Sequence, residues 1–337
     1  MKKEAMLYKK LPASEVRCHL CSHYCRIKNH AFGFCRVRQN EDGTLYTRVY
    51  GVTAANHVDP VEKKPLYHFL PNTLVYSIGT VGCNFHCGFC QNWEISQAAE
   101  ESSARKYWGL PMLPEKVVEQ TAHYHCASIA YTYTEPTIFF EYVYDTSELA
   151  RKKGIRNIFV TNGYMTEKAL DTIASRIDAA NVDLKSYRDE YYRNTCSGRL
   201  KPVLNTIRHM KELDIWVEIT TLLIPGENDS QEEVKKIADF IAEVDVAMPW
   251  HISAFHPSYR FMEHRSTTTE MLLEARDIGL RAGLNFVYLG NVPIDNDTNC
   301  PTCGKTVIKR RGTLVGKIAL DNGRCPDCRG TLPGVWS

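Results

Sequence analysis

Three cysteines in one short segment are the residues best placed to do chemistry. Cys83, Cys87 and Cys90 stand as Cys-x3-Cys-x2-Cys within Thr80-Val81-Gly82-Cys83-Asn84-Phe85-His86-Cys87-Gly88-Phe89-Cys90-Gln91-Asn92, with no fourth cysteine nearby. A [4Fe–4S] cube normally takes four thiolates. Three from one tight loop leave one iron open to a small chelating ligand. Gly82 and Gly88 let such a loop wrap a cube closely. The plainer alternative is a zinc knob completed by His86. Zinc pairs, however, usually run Cys-x2-Cys, and this loop follows a strand inside an α/β repeat.

Two further groups of cysteines flank the first. Cys300-x2-Cys303 and Cys325-x2-Cys328 form two knuckles, with Pro301, Gly304 and Pro326 at the turns. That is a zinc-ribbon pattern; an iron site of rubredoxin type or a further cluster is the alternative. Cys18, Cys21, Cys25 and Cys35 make a less regular quartet, open to zinc or to an auxiliary [4Fe–4S] cluster. His19 and His23 are available to replace a cysteine there. Eleven of the thirteen cysteines fall in these groups. Cys126 reads as a core residue at the end of an apolar helix.

The composition sets the context. Hydrophobic residues make up 44% of the 337 and charged residues 24%, which excludes a disordered or fibrous chain. The net charge of +2 argues neither for nor against nucleic acid. The tail is locally basic: Lys305, Lys309, Arg310, Arg311, Lys317, Arg324 and Arg329 face Asp321 and Asp327 alone. Contact with RNA or a solvated face would account for it, the second being commoner. The start, Met1 to Lys10, has no apolar leader, and no apolar run nears the ~20 residues of a membrane span. The expectation is a cytoplasmic protein with no membrane partner, in which disulfides are the weaker reading of an odd cysteine count.

The elements that must position the central cysteines alternate. Strands are expected at Leu74–Ile78, Ser128–Tyr133, Asn157–Thr161, Ala179–Leu184, Ile215–Leu223, Trp250–Phe255 and Asn285–Leu289. Helices are expected at Pro114–Cys126, Ile138–Lys153, Thr166–Ser175, Pro202–Leu213, Asp229–Val244 and Thr268–Ala282. Such alternation forces a parallel sheet with right-handed crossovers. It falls short of the eight units of a closed barrel. The expected fold is therefore α/β: a partial (β/α)6 TIM-like barrel over 73–292, with an N-terminal Cys-rich metal-binding module over 1–72 and a C-terminal zinc-ribbon-like module over 293–337. Chemistry in such barrels sits at the C-terminal ends of the strands, where the central loop falls.

Cys83 to Asn92, ending Cys-Gln-Asn, resembles the radical S-adenosylmethionine (SAM) superfamily, and within it the activating enzymes of glycyl-radical enzymes. The resemblance implies a cluster that cleaves SAM reductively to a 5′-deoxyadenosyl radical for hydrogen abstraction. It also implies oxygen sensitivity and an electron donor such as flavodoxin or ferredoxin. Glu135, in Thr132-Tyr133-Thr134-Glu135-Pro136, maps to a motif that bonds the SAM amino group. Asn162, in Thr161-Asn162-Gly163, stands where relatives contact SAM. Asp183-Leu184-Lys185 matches the Asp-x-Lys motif at the SAM carboxylate and ribose, and His251 falls at a SAM-contacting histidine. Cys196, at the expected barrel mouth, is a candidate radical relay, although a lone thiol is more often inert and buried.

The N-terminal cysteines, Val58-Asp59-Pro60-Val61-Glu62-Lys63-Lys64-Pro65-Leu66-Tyr67-His68 and Pro333-Gly334-Val335-Trp336 resemble a narrower group, the AmmeMemoRadiSam-system radical SAM enzymes. This likeness runs from about Arg17 to Trp336 and implies association with a Memo-like partner. The substrate, a glycyl-radical-type protein among the candidates, is not specified by the motifs. A second class of function remains: a non-catalytic metal-binding adaptor for nucleic acid or protein. Glu135, Asp183 and Lys185 at successive strand ends count against it.

Overall fold

The computed structural model describes residues 1–98 and 107–337. Its centre is an eight-stranded sheet. The strands are β1 (Ala55–Pro60), β2 (Leu74–Gly79), β3 (Ser128–Tyr131), β4 (Arg156–Thr161), β5 (Ala179–Asp183), β6 (Trp216–Leu223), β7 (Trp250–Ala254) and β8 (Val287–Gly290). Their order across the sheet is their order in the chain. Seven run parallel, from β2 to β8, and β1 lies antiparallel on β2 from Ala55–Gly79 to Pro60–Leu74. The parallel strands are buried nearly throughout, as expected of strands covered on both faces.

Helices α1 (Pro114–His123), α2 (Phe140–Lys152), α3 (Glu167–Ile173), α4 (Leu200–Glu212), α5 (Gln231–Val244) and α6 (Thr269–Arg281) connect the parallel strands. Their starts are set by capping chemistry. The hydroxyls of Thr166, Ser230 and Thr268 accept from the backbone N–H groups of Ala169, Glu233 and Met271. Gly154, at φ +71°, follows the end of α2. Helix α2 begins later than the apolar pattern suggests because Pro136–Phe139 forms a 3-10 turn capped by Glu135.

Strand β1 is not among the strands expected from the sequence. Ala-Asn-His-Val-Asp-Pro lacks apolar alternation, so backbone pairing at a sheet edge defines it, not burial. At the other edge, Asn296 stands in for a further strand. Its side chain accepts from Leu289 N at 2.9 Å and donates to Leu289 O at 2.7 Å.

The N-terminal segment carries two small antiparallel sheets. One joins Lys3–Glu4, Thr44–Thr47 and Arg38–Glu41; the other joins Tyr8–Lys10, Val16–Cys18 and Arg26–Ile27. The segment is tied to Glu141 of α2. Its carboxylate accepts from Met6 N at 2.8 Å and from Arg38 Nη2 at 2.5 Å, and the Arg38–Glu141 pair is fully buried.

The C-terminal segment folds as three short strands, Thr298–Asn299, Thr306–Arg311 and Leu314–Ile318, around Cys300, Val307, Ile308, Cys325 and Leu332. It docks under the sheet. Arg310 donates to Tyr67 O at 2.7 Å, His68 Nδ1 bonds Pro333 O at 2.8 Å, and Val335 N donates to His68 O at 2.7 Å.

Removing one partner of a buried ion pair leaves a desolvated charge and costs about 3–5 kcal/mol. Glu141→Ala is expected to lower stability by about that amount in chemical denaturation. A loss below about 1 kcal/mol would mean that Glu141 does not tie the N-terminal segment to α2.

Candidate active site

The loop Thr80–Asn92 leaves the C-terminal end of β2. The side chains of Cys83, Cys87 and Cys90 line one cavity of about 450 Å³, a size usual for small-molecule sites. The rest of its wall comes from the C-terminal ends of the other strands: Thr132 to Thr134 after β3, Thr161 and Asn162 at β4, Asp183 and Lys185 at β5, Thr220 and Leu222 in β6, Ser253 in β7 and Asn291 after β8. Lys63, Lys64 and Pro65 close one side.

Each sulfur has its own surroundings. Phe85 N donates to Cys83 Sγ at 3.3 Å, and Cys90 Sγ lies 3.3 Å from Ser96 Oγ. Burial pushes the Cys83 and Cys90 thiols up. Cys87 is held below its ordinary value, first by a hydrogen bond from the Cys196 thiol. The Cys83, Cys87 and Cys90 sulfurs are not all within 4.8 Å of one another, the closeness a single tetrahedral ion would ask of them. Beside them, the buried Asn84 amide nitrogen has no partner. A donor set of three spread thiolates with a spare N–H fits an iron–sulfur cube, whose sulfides accept hydrogen bonds.

Asp183 and Lys185 are brought to the cavity and to each other, Nζ to Oδ2 at 2.7 Å. Burial alone would pull the Lys185 ammonium down; Asp183, then Cys87 and Cys196, raise it well above its ordinary range. Asn162 is also at the cavity. Its amide donates to Asn84 Oδ1 at 2.8 Å and lies 3.9 Å from Cys83 Sγ, so it fixes the cysteine loop.

Three expected residues are not at the wall. Glu135 is wholly buried, and both its oxygens are taken: Oε1 by Thr137 N at 3.0 Å, Thr137 Oγ1 at 2.5 Å and Thr161 Oγ1 at 2.8 Å, Oε2 by Asn162 N at 2.8 Å. It ties the β3 and β4 ends together, and its neighbours Thr132 to Thr134 face the cavity instead. His251 lies two residues deeper on β7 than Ser253, in a lower layer, bonded to Glu218 at 2.6 Å. Cys196 is buried behind the loop against Cys87, not at a mouth. Its place follows from the backbone, since His86 N and Gly88 N donate to Cys196 O and Thr195 O.

Lys63, Lys64, Tyr133, Ser253 and Asn291 line the cavity without having been singled out for it. Lys64 pairs with Asp59 at 2.8 Å and lies 5.0 Å from the centre of the Tyr133 ring. Two adjacent lysines before a proline were a readable signal. Ser253 and Asn291 carried none.

The flanking groups differ in geometry. The four sulfurs of Cys300, Cys303, Cys325 and Cys328 all lie within 4.8 Å of one another, with Cys300–Cys328 and Cys303–Cys325 at 3.6 Å. Among the described residues, the other set this close is the surface trio Glu167, Asp171 and His209; no three of Cys18, Cys21, Cys25 and Cys35 are.

Residues 77–241 match the family model of the radical SAM superfamily. An uncharacterised protein of Methanocaldococcus jannaschii is 41% identical over 97% of this chain and 97% of its own length. A pyruvate formate-lyase-activating enzyme of Staphylococcus aureus is 18% identical over 66% of this chain and 92% of its own. The Streptococcus suis protein SuiB, in its structure with S-adenosylmethionine, shares the fold at a TM-score of 0.50 and 12% identity, over 68% of this chain and 52% of that one. No described helix is long and apolar enough to cross a membrane. With the three-cysteine loop at the end of the first parallel strand and the cavity at the ends of the others, the chain belongs to the radical SAM superfamily of enzymes.

Proposed function

We propose that this chain binds a [4Fe–4S] cluster through Cys83, Cys87 and Cys90 and SAM in the adjoining cavity, and takes hydrogen from a protein substrate. The observation that carries this reading is one cavity lined by three cysteines, Asn162 and the Asp183–Lys185 pair. When bound, the cluster supplies the electron that breaks a carbon–sulfur bond of SAM and yields a 5′-deoxyadenosyl radical. The residues do the rest. Lys185 offers a cation to the SAM carboxylate, and Asp183 accepts from hydroxyl or amino groups. Asn162 and Glu135 keep the strand ends and the loop in register. Phe85 and Phe89 form an apolar wall that limits water.

The likeness to activating enzymes favours a protein target of glycyl-radical type. The motifs from Val58 to His68 and Pro333 to Trp336 favour the AmmeMemoRadiSam group, with a Memo-like partner, a flavodoxin or ferredoxin as donor, and a cytoplasmic, oxygen-sensitive enzyme. We assign zinc to Cys300, Cys303, Cys325 and Cys328. Zinc–sulfur bonds of about 2.3 Å set tetrahedral edges of about 3.8 Å, and the Cys300–Cys328 and Cys303–Cys325 pairs stand at 3.6 Å.

Three outcomes are expected. The Cys83→Ala/Cys87→Ala/Cys90→Ala variant, reconstituted without oxygen and given dithionite, makes no 5′-deoxyadenosine; product at the wild-type level would overturn the reading. Losing a charged hydrogen bond costs about 1.5–3 kcal/mol, so Asp183→Ala weakens SAM binding roughly tenfold to a hundredfold with iron content intact. Unaltered affinity in equilibrium binding would leave the pair as scaffold. The Cys303→Ser/Cys328→Ser variant loses one zinc per chain by elemental analysis, and an unchanged zinc content would move the metal elsewhere.

A further inference from the structure

The N-terminal cysteines have no part in the reading above. Cys18, Cys21 and Cys35 are buried, and Cys25 is half-buried. Each sulfur is met by a backbone N–H: from Leu20 to Cys18, His23 to Cys21, Val37 to Cys35, and Phe34 to Cys25 at 3.4 Å. Donors of this kind suit thiolates. Ionised together out of water, four such sulfurs would require a bound cation.

Two observations choose between one zinc ion and a cluster. The first is spacing. Among the described residues, no three of these sulfurs lie within 4.8 Å of one another, whereas the C-terminal four all do. Cys83, Cys87 and Cys90 are spread in the same way. The second is Arg38, 1% exposed, whose Nη2 bonds Glu141 while Nε and Nη1 have no partner. Arg38 interacts with Cys18 and Cys35. Around a single zinc the acceptors are thiolates that already hold an N–H. A cube adds sulfides that accept hydrogen bonds.

We propose that Cys18, Cys21, Cys25 and Cys35 hold a second [4Fe–4S] cluster that relays electrons to the cluster of Cys83, Cys87 and Cys90. The inference rests on the proposed reading of the central cysteines. Four thiolates leave no iron open, so the site does not chelate substrate; one-electron transfer is the chemistry left to it.

Its placement fits that task. His23 Nε2 donates to Asn84 O at 2.7 Å, inside the central loop. Phe34 stacks on His86 of that loop at 4.4 Å between ring centres. A Cβ on Gly82 would come within 3.0 Å of Cys35 O, so the two cysteine loops touch through their backbones. On the outer side, the exposed Lys9, Arg17 and Lys168 surround His19, a cationic face for an acidic one-electron donor. The electron balance is simple. The donor is oxidised by one electron as the quartet cluster is reduced by one. The quartet cluster then returns to its starting state as the central cluster is reduced by one. No bond or proton moves.

The test uses full-length protein purified and reconstituted without oxygen. After dithionite, electron paramagnetic resonance is expected to give two reduced-cluster signals, one shifted by SAM and one indifferent to it. The Cys83→Ala/Cys87→Ala/Cys90→Ala variant keeps the indifferent signal and half the iron. On rapid freezing after mixing with reduced flavodoxin, the indifferent signal of the wild type rises before the SAM-sensitive one. A second zinc per chain with a single, SAM-sensitive signal would overturn the cluster. Simultaneous or reversed rise of the two signals would overturn the relay. If instead no signal responded to SAM while the indifferent one persisted, the reading of the central cysteines would fail and the quartet cluster would stand. Wild-type metal analysis and spectra decide the question even if the variant does not fold.

Discussion

Everything at the cavity depends on how one irregular loop is held. Gly82 to Cys90 has no ladder of its own, and buried backbone groups must find partners. They find them in distant parts of the chain. Gly82 N donates to Ile95 O, His86 N to Cys196 O, Gly88 N to Thr195 O, and Arg260 N to Gly88 O. His23 and Gln97 add side-chain donors to Asn84 O and Phe85 O. A loop so clamped keeps three sulfurs in place without calling on a fourth ligand. The placing of the three sulfurs is therefore a product of the surrounding protein, and Cys196 belongs to that clamp.

What the sequence disclosed and what it concealed have physical reasons. Cysteine spacing and β/α alternation are local, so the three cysteine groups and the seven parallel strands could be read from the chain. Asp183 and Lys185 were readable too, because side chains two apart on a strand share a face. Glu135 was misplaced because strand position says nothing of which hydrogen bonds a carboxylate will prefer. Here four nearby donors, from Thr137, Thr161 and Asn162, take its oxygens. His251 was misplaced by depth: two residues along a strand separate the cavity from the layer beneath it. Strand β1 escaped notice because an edge strand needs hydrogen bonds more than apolar side chains. Lys64, which follows that strand and pairs with its Asp59, meets the cavity beside Tyr133, a neighbour far off in sequence.

The underside of the sheet is as closely built as the cavity side. Glu218 accepts from the backbone of Tyr67 and His68, from Trp216 Nε1 and from His251 Nε2. His68 bonds Pro333 O on one side and the Tyr288 hydroxyl on the other. Burial depresses His68 to about 4, so it is neutral near pH 7, with its Nδ1 proton on the carbonyl and Nε2 accepting from Tyr288. The C-terminal segment thus closes the core beneath the cavity. Its four cysteines stand apart from the cavity, and the segment meets the sheet through Arg310, Pro333 and Val335.

An open sheet has two rows of unpaired backbone groups that invite neighbouring chains. This one disarms both. On the far side the Asn296 amide occupies the donor and acceptor of Leu289 that another strand would seek. On the near side β1 runs antiparallel, carries Asp59 and ends in Pro60, which has no N–H to give. A second molecule that sought to extend the sheet would have to displace the Asn296 amide at one edge and, at the other, pair with a strand that carries Asp59 and ends in a proline.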